Sequence, residues 1–64
     1  MLNNLIKNKI EEIITKIAKH YKVSRLQIKV EMHANHVIIK HYDGDGWTIL
    51  SEYPNYDLFL RYWN

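Results

Sequence analysis

Between Lys22 and Leu26 the spacing of the apolar residues changes from helical to alternating. Leu2, Leu5, Ile6, Ile10, Ile13, Ile14, Ile17 and Tyr21 recur every three or four positions, whereas Ile28, Val30 and Met32 recur every second one. A side chain returns to the same face of a helix after about 3.6 residues and to the same face of a strand after two, so one element cannot serve both patterns. The spacing predicts an amphipathic helix over Leu2–Tyr21 that hands over to strands.

At about 100° per residue, Ile6, Ile10, Ile13 and Ile17 fall within roughly 60° of arc, with Ile14 and Tyr21 at the border. Asn3 or Asn4 can cap the first turn, and Glu12 and Lys16 stand at the four-residue spacing of a helical ion pair. The lysines form no stripe: Lys9 and Lys16 flank one edge of the apolar face, Lys7 the other, and Lys19 and Lys22 point away.

Leu26–His33 alternates, and His36–Tyr42 comes after Ala34-Asn35, where Asn tolerates the left-handed backbone of a tight turn. Asp43-Gly44-Asp45-Gly46 is a second turn, and Trp47–Tyr53 a third strand rich in β-branched and aromatic residues. Pro54 ends that strand, and Asn55 can cap a last helix on which Tyr56, Phe59, Leu60 and Trp63 fall at helical spacing. The expected fold is a single α+β domain over residues 1–64: a long N-terminal helix, a three-stranded antiparallel β-meander and a short C-terminal helix (α-β-β-β-α).

If His33 pairs with His36 and Tyr42 with Trp47, alternation places Ile28, Val30, Met32, Val37, Ile39, His41 and Leu50 on one sheet face, beneath the first helix. The other face carries Lys29, Glu31, Ile38, Lys40, Tyr42, Trp47 and Ile49. Ile38, Tyr42, Trp47 and Ile49 form more contiguous apolar area than monomers usually leave in water, so a cover is expected. The C-terminal helix, a second copy of the chain or a foreign partner could each supply it.

At 64 residues a chain buries only about 60% of its unfolded surface. With no cysteine to cross-link it, oligomerisation or a bound partner is the expected support. Residues 1–29 carry a net charge of +5 and residues 30–64 one of −3, a split that suits a nucleic-acid partner for the first half or antiparallel self-association. No signal pattern opens the chain and no uncharged run approaches the roughly 18 residues of a membrane span, which leads to an expectation of a cytoplasmic protein without membrane contact.

Catalytic patterns are absent from the sequence: there is no nucleophile with a base, no paired carboxylates and no glycine-rich phosphate loop, so no enzyme activity and no cofactor are expected. His33 and His36 would face each other across the first turn, but two ligands do not make a tetrahedral metal site, and His41 falls on the opposite face, where a hydrogen-bonded core histidine is expected. Asp43 and Asp45 resemble the opening of a calcium loop, yet the twelfth residue from Asp43 is Pro54 rather than a bidentate Glu. No metal is expected.

Two classes of binding remain. Lys29, Lys40, Tyr42 and Trp47 could stack bases and neutralise phosphates on an open sheet. Separately, Ile17–Ile28 resembles a helix-turn-helix segment, with Ala18, Val23, Ser24 and Ile28 at the packing and turn positions. That resemblance implies a hairpin used as a wing and a nucleic-acid-binding set of Lys19, Lys22, Arg25, Lys29 and Lys40. Double-stranded RNA-binding domains share the α-β-β-β-α order, but their last helix begins with lysines and Tyr56–Asn64 has none. The favoured reading is a small non-enzymatic protein-interaction module, a homodimer, whose contact surface draws on Ile38, Tyr42, Trp47, Ile49, Phe59, Tyr62 and Trp63, since aromatic anchors dominate interface energetics. In style the chain also looks like the small inhibitors and adaptors encoded by phages and mobile elements.

Overall fold

The computed structural model describes residues 2–64, with side chains from Lys7 onward. Helix α1 spans Leu2–Tyr21, a 3₁₀ turn comes next at Arg25–Gln27, strands β1 (Ile28–His33), β2 (His36–Tyr42) and β3 (Trp47–Tyr53) form an antiparallel meander, and α2 spans Tyr56–Trp63. The expected cap at Asn3 or Asn4 lies outside the described side chains. No described helix is long and apolar enough to cross a membrane.

The end of α1 is a Schellman motif. Lys22 takes φ 59°, its N–H bonds the Lys19 carbonyl at 3.3 Å, and the Val23 N–H bonds the Ala18 carbonyl at 3.0 Å. Val23 packs on the core beside Ala18, the apolar contact that accompanies this cap. The chain then does not start a second helix. Ser24 and Gln27 form a capping box that holds a single 3₁₀ turn, and from Ile28 onward the period of two and the ladder with β2 take over. The helix-turn-helix likeness of Ile17–Ile28 therefore has no recognition helix behind it, and Leu26, expected in the strand, belongs to the 3₁₀ turn.

Both expected registers are present, His33 with His36 and Tyr42 with Trp47. The alternation did not foresee a bulge: the register shifts by one between Ile39 and Lys40, with Leu50 the additional residue on β3. Without that residue's insertion into the count, Glu52 would stand opposite Val37 on the core face. With it, Tyr53 opposes Val37 and Glu52 opposes Ile38. The expected first turn is also corrected in detail. Ala34, not Asn35, takes the left-handed backbone (φ 57°), and the Asn35 side-chain oxygen accepts from the Tyr56 N–H at 3.2 Å. Asn35 thereby ties the hairpin to the start of α2, which Asn55 caps through the Leu58 N–H at 2.9 Å.

One core cluster unites Ile13, Ile17 and Ala18 of α1, Ile28, Val37 and Ile39 of the sheet, and Phe59 and Trp63 of α2. Both helices thus lie on the same side of the sheet. Their contact is fixed by the Trp63 indole against the His20 ring (5.5 Å between centroids) and by Lys16, which reaches the Trp63 carbonyl at 3.4 Å instead of pairing with Glu12. His41 departs from expectation as well: its Nε2 is buried with no hydrogen-bond partner.

Candidate functional site: the outer face of the sheet

Because α2 joins α1, the opposite face of the meander is left without a cover from the described chain. Alternation brings Glu31, Ile38 and Glu52 into one row across the strands, Lys29, Lys40 and Ile49 into the next, and Tyr42 and Trp47 into a third. The face is consequently divided. Its β1 side is charged, and its β3 side, apart from Glu52 at the end near the first turn, is apolar and aromatic.

The apolar side is built from Tyr42 and Trp47, a cross-strand pair with ring centroids 5.4 Å apart, together with Ile49 and the half-buried Ile38. Trp47 is 42% exposed and Ile49 50%. The Tyr42 hydroxyl donates to the Gly44 carbonyl at 3.1 Å, which fixes its ring against the second turn. That turn is held by the Asp43 carboxylate, which accepts from the Asp45 N–H at 2.9 Å and the Gly46 N–H at 3.2 Å. Those two N–H groups, Asp45 first, hold the Asp43 carboxyl below its ordinary range. Gly44 needs its φ of 101° here, a backbone that L side chains rarely adopt.

The charged side centres on Glu31. Its carboxylate meets His33 Nε2 at 2.9 Å, Lys40 Nζ at 2.9 Å and Lys29 Nζ at 3.3 Å. The His33 contact first, then Lys40, bring its pKa from 4.5 to about 2. Lys29 additionally places its ammonium 4.5 Å from the centroid of the Trp47 ring, joining the two halves of the face through a cation–π contact.

The residues expected to form one contact surface are divided by the fold. Ile38, Tyr42, Trp47 and Ile49 share the outer face. Phe59 is fully buried and Trp63 is 8% exposed, so neither has surface to offer a partner; helical spacing alone could not tell which aromatic positions of α2 turn inward. Tyr62 is exposed but stands in the helical layer, with its ring 5.8 Å from Tyr53. The basic set is scattered too: Lys29 and Lys40 are engaged by Glu31, Arg25 is paired with Glu11, and Lys19 and Lys22 lie at the far end of α1. His33 and His36 do stand opposite each other, yet each turns its ring nitrogen to a different glutamate, Glu31 and Glu52. Among the described residues no group of three His, Cys, Asp or Glu side chains could hold a metal ion.

A second surface was not anticipated. Leu26, at 88% exposure, lines with Glu11, Ile14, Arg25 and Ile28 an open groove of about 410 Å³ between α1, the 3₁₀ turn and the start of β1. The S-x-x-Q pattern of Ser24–Gln27 was the available signal, because a capping box there takes Leu26 out of the alternation. Among protein-family models, curated proteins and solved structures, none matches this chain.

Proposed function

We propose that the protein is a non-enzymatic protein-binding module of the inhibitor or adaptor kind, acting through Ile38, Tyr42, Trp47 and Ile49 on the outer face of its sheet. The supporting observation is that both helices occupy the other face, leaving an aromatic and aliphatic patch that no part of the described chain covers. Two rigid aromatics and two β-branched side chains give such a patch apolar contact area at little cost in side-chain freedom. A protein surface is favoured over a nucleic acid because the lysines next to the patch are already engaged, Lys40 by Glu31 and Lys29 by Glu31 and Trp47. Phosphates would have to displace these contacts.

The experiment compares immobilised wild type with Trp47→Ala and Ile49→Asp, each checked for an unchanged circular-dichroism spectrum. A protein retained by the wild type and lost from both variants is the expected result. Retention by all three would overturn the assignment of the surface. A mobility shift of RNA or DNA at about 50 mM salt that fades steeply as salt rises would overturn the class of partner.

A further inference from the structure

We propose that two copies of the chain join through β1, edge to edge and antiparallel, about a two-fold axis at Val30. This interface runs along the β1 edge, apart from the Ile38, Tyr42, Trp47 and Ile49 patch, and does not depend on what binds there.

The free edge of β1 differs from that of β3. The β1–β2 register runs unbroken from Ile28 to His33, whereas the ladder of β3 is interrupted by its bulge. Bulges are one of the devices by which sheets protect an edge from further pairing. A two-residue turn closes on a hydrogen-bonded pair, here His33 and His36, and backbone directions alternate along an antiparallel ladder. Lys29, Glu31 and His33 therefore turn their backbone groups toward β2, and Ile28, Val30 and Met32 turn theirs to the open edge. The Ile28 N–H agrees with this parity, since it bonds the Arg25 carbonyl rather than β2.

A second β1 laid antiparallel about Val30 sets Lys29, which already meets Glu31 of its own strand, opposite the partner's Glu31 as well, and Glu31 opposite the partner's Lys29, so that the two charge clusters join on the outer face. The strand is thus complementary in charge to its own reverse. On the other face Ile28 stands opposite the partner's Met32. Ile28 is itself buried, but it lines a groove with Ile14 and the exposed Leu26, and the pairing brings the partner's Met32, an exposed and flexible apolar side chain, to that groove. The two-fold axis repeats the fit, so each copy supplies one thioether and one groove. The product is a continuous six-stranded sheet with all four helices on one side and both Trp47 patches open on the other.

The test measures mass in solution by sedimentation equilibrium. The wild type is expected to be a dimer. Lys29→Glu and Glu31→Lys each place like charges opposite each other twice and should raise the dimer dissociation constant at least tenfold. The double variant restores opposite pairs and should dimerise again. Mixing the two single variants, one of them ¹⁵N-labelled, should give the heterodimer in native mass spectra, because only the mixed pair is complementary at both positions. Should a single variant fail to fold, Val30→Cys decides: the natural chain has no cysteine, and residues of a hydrogen-bonded pair lie about 5.5 Å apart between Cα atoms, within the roughly 4.4–6.8 Å that a disulfide spans. A covalent dimer is then expected under mild oxidation. A wild type that is monomeric at every concentration, or a Val30→Cys chain that stays unlinked, overturns the proposal. So does a dimer indifferent to the charge reversals but broken by Ile49→Asp, a result that would transfer self-association to the outer face and leave the proposed binding surface standing.

Discussion

The Trp63 indole N–H donates to the Tyr53 hydroxyl at 2.9 Å, and the Ser51 hydroxyl reaches the same oxygen at 3.3 Å. One phenol thus ties the last turn of α2 to the end of β3. Tyr53→Phe keeps the ring that packs on Phe59 but leaves the indole N–H without its acceptor. A loss of about 1–2 kcal/mol is expected in urea unfolding, with an unchanged slope against denaturant.

The division between core and contact surface predicts opposite outcomes for two large apolar residues. Phe59→Ala should cost about 3–5 kcal/mol, a large share of the roughly 5–15 kcal/mol available to a domain, and leave a substantially unfolded population. Ile49→Ala, on the outer face, should stay within about 0.5–1 kcal/mol of wild type. Thermal unfolding monitored by circular dichroism distinguishes the two.

Lys22 and Ala34 both hold a left-handed backbone with a side chain attached, φ 59° and 57°. Such a conformation costs a non-glycine residue about 1–2 kcal/mol, part of which glycine returns through its looser unfolded state. Lys22→Gly and Ala34→Gly are each expected to raise stability by up to about 1 kcal/mol, read as a higher denaturant midpoint. A lower midpoint for Lys22→Gly would contradict the Schellman geometry.

Acid should weaken the fold in a defined window. The Glu31 carboxyl has a pKa of about 2 in the folded chain against an ordinary 4.5, so on acidification the unfolded chain takes up this proton first. Its contribution to stability is full above about pH 4.5 and is lost as the pH falls through about 2. Asp43, also depressed, adds in the same direction. Glu31→Gln should be less stable than wild type at neutral pH, and the difference should close across that window in unfolding curves taken at successive pH values.

The order of elements was legible because the period of the apolar residues changes only where the chain changes structure. Leu2–Tyr21 and His36–Tyr42 were expected with the bounds they have. Alternation also placed Ile38, Tyr42, Trp47 and Ile49 together, since two short turns set the register. What escaped was set by contacts distant in sequence. The side on which α2 docks depends on Phe59 and Trp63 meeting α1, which no local pattern encodes. Ala34 holds the left-handed position while Asn35 accepts from the Tyr56 N–H, an anchor 21 residues away that the turn's own residues do not encode. The bulge at Leu50 settles a conflict between strict alternation and the burial of Glu52.

The placement of α2 leaves the two indoles on opposite sides of one sheet, Trp47 beside Lys29 and Tyr42, Trp63 sealed between Tyr53 and His20. The molecule therefore carries two indoles in unlike surroundings, one half-exposed and one sealed in the helical layer, and Trp47→Phe would leave emission that registers only whether that layer is intact.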